Sequence, residues 1–245
     1  MTLGYLSRQA AAALLGLAVT LAFLMACTPT VPELPGARGE GVRGEASRAL
    51  REATLTLLPA RCQGVVAGDA QSALTAAHCL APAQRTLRVQ LHDGRVLGAR
   101  VLRMDRARDV AFLRLAAPSG VAPLQVARAL PEPGAALRFV SRRHRAGELQ
   151  EVTLLRLGRC PSLPRVPAAL FTSLRGRPGD SGAPVVDERL RVVGLVHGGA
   201  RCAIATPTAG LGARLATLAQ SPTPRLARRA PPPEREPRSA AAPPR

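Results

Sequence analysis

Tryptophan, lysine and asparagine do not occur in this 245-residue chain, and tyrosine occurs once. Proteins that hold single-stranded nucleic acid stack bases on aromatic rings. With 2% aromatics and no nucleic-acid motif, the chain has little with which to do so. The same scarcity requires its core to be filled by Val, Leu and Ala, which the 47% hydrophobic content supplies. With lysine absent, all 34 basic residues are Arg, and the formal charge is +18. Abundant Arg, Ala, Pro and Gly together are what a GC-rich coding sequence produces, so the charge is discounted as a functional signal, although a basic surface attracts anionic partners. Internal repeats are absent too. No metal-ligand spacing surrounds more than one histidine, so no metal and no organic cofactor is expected.

Five cysteines are present, an odd number for an exported protein, which normally pairs its thiols. One of them ends an N-terminal pattern. Residues 1–26 carry a short polar start with Arg8 and an apolar run from Ala10 to Ala26. This fits a secretory signal better than a membrane span, for which the run is marginally long. Its end, Leu24-Met25-Ala26-Cys27, resembles a bacterial lipobox, which implies acylation of Cys27 and cleavage before it. An ordinary cleaved signal peptide and a retained helix are the alternatives. The expected location is the bacterial cell envelope, lipid-anchored at the outer membrane or periplasmic face, or secreted if the lipobox is not used. With Cys27 set aside, Cys62, Cys79, Cys160 and Cys202 remain, and four cysteines allow three pairings.

Residues 27–45 are rich in Pro, Gly and charge and read as a flexible tether. Ser47 to Leu58 reads equally as a short helix or a first strand. Short Val- and Leu-rich runs follow, at Leu87–Leu91, Val96–Leu102, Val110–Leu115, Leu137–Val140, Val152–Leu157, Ala183–Val186 and Val192–Val196. Their spacing, punctuated by Gly, Pro and Asp, is that of an all-β barrel or sandwich. His92-Asp93-Gly94 predicts a hairpin turn, since Asp-Gly suits positive φ. The pattern breaks at Leu130–Gly134, a crossover between two halves, and Leu211–Gln220 has helical spacing. Residues 221–245, dominated by Pro, Arg and Ala, bury too little apolar surface to offset ordering and are expected to be disordered. About 170 residues are left to fold, enough for one compact unit or two small barrels.

Three segments carry the chemistry: Thr75-Ala76-Ala77-His78-Cys79, Asp109-Val110-Ala111-Phe112-Leu113-Arg114-Leu115 and Gly179-Asp180-Ser181-Gly182-Ala183-Pro184. A hydroxyl is a poor nucleophile until an imidazole takes its proton and a carboxylate holds that imidazole in the right tautomer. In the order His, Asp, Ser these segments resemble the trypsin-like, chymotrypsin-fold serine proteases, over roughly Cys62 to Ala219. The resemblance implies two six-stranded antiparallel β-barrels with a short C-terminal helix, a protease domain over 46–220 divided near residue 130. It implies a serine endopeptidase, expected to be a monomer, that acts on protein or peptide substrates and not on nucleic acid.

On the family pattern His78 is the general base, Asp109 its orienting acid and Ser181 the nucleophile, and the amides of Gly179 and Ser181 form the oxyanion hole. Asp180 matches the buried acid that locks the nucleophile loop. No Arg/Lys-Ile/Val-Val-Gly-Gly activation site precedes Cys62, so an internal arginine is expected to replace the usual new N-terminus as its partner. The family bonds the cysteine after the active-site histidine to one upstream, which implies Cys62–Cys79 and leaves Cys160 and Cys202 as the second pair. Val192–Gly199 resembles the strand that binds the substrate backbone, with His197 and Gly198 where the family has Ser and an aromatic. Arg175, His197, Gly198 and Gly199 are the candidate substrate-binding residues. Arg175 or His197 facing the pocket would favour an acidic P1 side chain. The short interval between His78 and Asp109 resembles bacterial envelope proteases of the heat-shock type, without their PDZ domain. A rival reading is a catalytically silent protease-fold scaffold.

Overall fold

Short alternating runs close into barrels because closure leaves no strand edge unpaired. The computed structural model describes residues 35–141, 149–174, 176–198 and 203–220, with side chains from Gly44 onward. The expected signal peptide, Cys27, the first part of the tether, Arg175, Gly199, Cys202 and the C-terminal tail lie outside the described residues. The chain divides into two units, residues 1–46 and 47–245. Only the helical backbone and the last few side chains of the first are described. Everything below concerns the second.

Its first barrel is built from β1 (Thr54–Leu58), β2 (Gln63–Val66), β3 (Ser72–Thr75), β4 (Thr86–Gln90), β5 (Val96–Asp105) and β6 (Val110–Leu115). They close in the order β1-β2-β3-β6-β5-β4. The second barrel takes β7 (Ala136–Val140), β8 (Leu149–Gly158), β9 (Ala169–Thr172), β10 (Pro184–Val186), β11 (Val192–Val196) and β12 (Ile204–Pro207). Its order, β10-β11-β12-β9-β8-β7, is the same ring as the first, read in the opposite direction. All pairings between these strands are antiparallel. The expected two six-stranded barrels are therefore present, with the C-terminal helix α2 at Leu211–Gln220.

The predicted turn joins β4 to β5: the Gly94 amide donates to the Leu91 carbonyl, and Gly94 has a φ of 90°. Asp93 ties the same turn by accepting from the Arg95 amide at 3.0 Å. The tether expectation is corrected over its second half, where Pro35–Ala53 forms a helix, α1. The ambiguity over Ser47–Leu58 resolves into both candidates in succession. The helix ends at Ala53 and β1 starts at Thr54, whose hydroxyl donates back to the Leu50 carbonyl at 2.7 Å. No helix among the described residues is long and apolar enough to cross a membrane.

Each barrel is filled as the composition requires. Leu55, Val66, Val89, Leu113 and Leu115 pack the first, and Leu137, Phe139, Leu154, Leu170 and Val185 the second. A third cluster gathers Leu50, Val65, Leu74, Phe112, Val140, Val186, Leu195 and Leu215, so both barrels and both helices contribute to it. Fully burying one such aliphatic side chain is worth about 1.5–3 kcal/mol. This shared cluster is what holds loops of one barrel against loops of the other, and the candidate site is made of those loops.

Candidate active site

His78 follows β3 directly, in a single 3₁₀ turn over Ala77–Cys79. A disulfide joins Cys79 to Cys62, as the family resemblance implied, and staples that turn to the start of β2. Cys160 is buried, its Sγ 3.1 Å from Ser162 Oγ. The expected partner Cys202 is outside the described residues.

Asp109 stands at the mouth of β6, after the turn that links it to β5. Its φ of 55° is left-handed. Asp is one of the few non-glycine residues found there with any frequency, because its short side chain bonds to nearby backbone. Here the Asp109 carbonyl accepts from the Ala77 amide at 3.2 Å, and Oδ1 accepts from the His78 amide at 2.8 Å. The carboxylate is thus fixed on the His78 turn before any ring is considered. Oδ2 then lies 2.8 Å from His78 Nδ1.

A second imidazole reaches the same oxygen. His197 Nδ1 is 2.5 Å from Asp109 Oδ2, and the two rings meet edge to face with centroids 5.0 Å apart. His197 comes from the end of β11 in the other barrel. Its expected place facing a substrate side-chain pocket is corrected: the ring is engaged with Asp109, and its side chain is only 13% exposed against 39% for His78. The signal for this was the replacement of the family's Ser by a longer donor. Burial acts most strongly on Asp109, raising its pKa. The hydrogen bonds from His197 and His78 and the charge at His78 together outweigh it, and the pKa falls to about 2.

Ser181 sits in the turn between Gly179 and Gly182. Gly179 has a φ of 101°, and at Gly182 a β-carbon would collide with the Gln63 carbonyl, so neither position accepts another residue without strain. The amides of Asp180, Gly182 and Ala183 are tied to the carbonyls of Arg177, Val196 and Asp180. Those of Gly179 and Ser181 meet no acceptor among the described residues, as two amides kept for a ligand would. The Ser181 hydroxyl donates to the His197 carbonyl at 3.4 Å. Among the described residues no hydrogen bond joins it to His78. Such contacts are commonly long until substrate closes the site. A side chain at Gly198 would begin 3.5 Å from Ser181 Oγ, so Gly198 leaves the nucleophile open on that side.

Asp180 is fully buried, and among the described residues no arginine side chain meets it. Oδ1 accepts from Ser141 Oγ at 2.7 Å and from Gln63 Nε2 at 3.2 Å, while Oδ2 accepts from the Arg177 amide at 2.9 Å. All three donors are neutral. Gln63 Nε2 also donates to the Gly179 carbonyl at 3.2 Å. Both neighbours of that nitrogen are acceptors, which leaves only one orientation of the amide. Neither Gln63 nor Ser141 carried a recognisable motif.

Compared with known proteins, residues 62–195 match the model of the trypsin-like peptidase domain. No curated protein matches the chain in sequence. Among solved structures, a serine endoprotease from Yersinia pestis superposes with a TM-score of 0.59 at 19% identity, over 73% of this chain and 66% of that one. The chain thus spans just under two thirds of that protein's length, and at this identity the likeness concerns the fold. The matched segment runs from the first disulfide cysteine through the His78, Asp109 and Ser181 turns, and it covers more than half of the sequence. The chain belongs to the family of trypsin-like peptidase domains.

Proposed function

We propose that the chain is a serine endopeptidase in which Ser181 attacks the substrate carbonyl, His78 takes its proton and Asp109 holds His78. The observation that carries this reading is the doubly anchored Asp109–His78 pair. Because Asp109 Oδ2 accepts at 2.8 Å from His78 Nδ1, the ring's proton sits on Nδ1 and the lone pair on Nε2 is left to serve as base. Acylation of Ser181 breaks the peptide bond, with the proton passing through His78 to the leaving amine. Water then enters, His78 takes its proton, and the acyl group leaves as a carboxylic acid. The Gly179 and Ser181 amides stabilise the oxyanion in each half, where one such donor is worth about 3 kcal/mol.

The neutral cradle around Asp180 supports a loop that is ordered without proteolytic activation. Gly198 and Gly199 are proposed to run beside the substrate backbone, and Arg175 to influence the P1 preference. Cys27 is proposed as the acylated N-terminus of an exported envelope protein. A fatty-acid analogue incorporated by wild type and not by Cys27→Ala tests that address.

The catalytic proposal is tested by exposing the full chain and its Ser181→Ala variant to a fluorophosphonate, which labels only a serine activated by its base. Labelling confined to the wild type is expected. A wild type that is folded, oxidised and inert would favour the scaffold reading, toward which the hydroxyl's bond to the His197 carbonyl points.

A further inference from the structure

Two imidazoles and a carboxylate converge at one point, which no spacing in the sequence announces. His78 Nδ1, Asp109 Oδ2 and His197 Nδ1 all lie within 4.8 Å of one another. The nitrogens reach the shared oxygen at 2.8 and 2.5 Å. Asp109 and His197 are held from two barrels and are largely buried, while the His78 side chain is 39% exposed. Two neutral imidazoles with one carboxylate form a donor set suited to zinc and its first-row neighbours. Asp109 and the His78 turn are already locked together by the 2.8 Å amide contact to Oδ1, so part of the site is organised in advance. The Cys62 and Cys79 sulfurs close by are spent in their disulfide and do not compete.

We infer that His78, Asp109 and His197 form an inhibitory binding site for a divalent transition-metal ion, with Zn²⁺ as its representative. The ion replaces the two protons that now bridge Nδ1 of each ring to Oδ2. Each imidazole stays neutral by carrying its proton on Nε2 instead, exchanged through solvent, so nothing is oxidised or reduced and no proton is lost from the neutral rings. The three ligand atoms open slightly, from hydrogen-bond separations to those of a coordination sphere with bonds of about 2.0–2.2 Å. A solvent molecule completes four-coordination.

Inhibition follows from the tautomer. With Nδ1 on the metal and the proton on Nε2, His78 has no lone pair with which to take the Ser181 proton. A carboxylate with a single histidine would bind the ion weakly, so His197 turns an orienting contact into a metal-sensitive one. Metal binding stands on geometry alone. Its inhibitory consequence rests on the proposed protease activity.

Calorimetric titration of the full-length Ser181→Ala protein with Zn²⁺ separates these two questions, because that variant keeps all three ligands and cannot turn over. One site is expected that weakens at least about tenfold on adding His197→Gln, the smallest loss given even by outer partners of metal ligands. It should persist on adding His92→Gln, a surface histidine that controls for adventitious imidazole binding. Co²⁺ in place of Zn²⁺ should give the visible bands of a low-symmetry, nitrogen-bound ion, again lost with His197→Gln. Intact β-sheet circular dichroism in each variant excludes misfolding as the cause. No zinc site, or one indifferent to His197→Gln or equally weakened by His92→Gln, would overturn the inference. In wild type, Zn²⁺ should block fluorophosphonate labelling and chelation should restore it. Labelling that ignores saturating Zn²⁺ would sink inhibition. A wild type that never labels would instead count against the protease reading and leave the zinc titration to decide the site.

Discussion

Two buried aspartates hold the two halves of this site, and they are held in opposite ways. Asp109, from the first barrel, is bonded by two imidazoles, one from each barrel. Asp180, in the nucleophile loop of the second barrel, is bonded among the described residues by a hydroxyl, a carboxamide and a backbone amide, all of them uncharged donors. On the proposed mechanism, the half that moves protons is therefore the responsive one, tied through ionisable rings, while the half that shapes the oxyanion site is tied through uncharged groups. On the proposed reading, in which no activation cleavage orders this loop, those fixed donors hold it.

The sharpest way to break the comparison is Asp109→Asn. An amide in that position can donate to His78 Nδ1, which stabilises the wrong tautomer and puts the proton on Nε2. In serine proteases generally this change costs about 10⁴-fold in turnover with the geometry retained. Fluorophosphonate labelling of Asp109→Asn should slow by a similar factor, measured as the second-order rate at neutral pH. A loss under tenfold would mean that Asp109 does not orient the base.

Next in size is the cradle of Asp180. Gln63 starts β2 in the first barrel and reaches across to donate to Asp180 and to the Gly179 carbonyl, while its Oε1 has no partner among the described residues. Gln63→Leu keeps roughly the volume and removes the carboxamide, both the Nε2 donor and the unpartnered Oε1. A hydrogen bond to a buried carboxylate contributes roughly 1.5–3 kcal/mol, so the unfolding free energy from urea denaturation should fall by that much. Labelling should slow as well, because the amides of Gly179 and Ser181 lose their fixed orientation. If stability drops and labelling does not, Gln63 is a purely structural tie and the loop is ordered by Ser141 and the Arg177 amide alone.

This division between barrels also explains what the sequence alone could show. β6 and β11 are legible as Val- and Leu-rich runs that each follow a charged residue, Asp109 and Arg191, and their observed limits coincide with the reading. β2 and β3 are not, since each is four residues long and buried on both faces, which removes the alternation that betrays a strand. Helix α1 hides behind Pro35 and four glycines, and its last residues are held by burial of Leu50 and Ala53 rather than by propensity. His78, Asp109 and Ser181 are legible because each lies within a local motif. The roles of His197 and Gln63 are not, because each depends on a contact between barrels that no local pattern encodes, and Ser141 meets Asp180 only through a contact 39 residues apart in sequence.

The smallest effect concerns acid. Asp109 titrates at about 2 in the folded protein, against roughly 3.9 for an unfolded aspartate. A carboxyl whose folded pKa is depressed stabilises the fold above its unfolded pKa, and that stability is lost as pH falls through the folded value. The contribution is thus nearly whole above about pH 4 and mostly gone near pH 2, and the difference between the two values corresponds to about 2.6 kcal/mol. Urea midpoints of wild type should fall across this window by more than those of Asp109→Asn, and the difference between the two curves should flatten at both ends. Asp180 serves as the contrast, because its donors stay uncharged throughout. Equal acid sensitivity in wild type and Asp109→Asn would show that the two imidazoles do not hold the carboxylate as tightly as their 2.8 and 2.5 Å contacts imply, and the responsive half of the site would be no more responsive than the other.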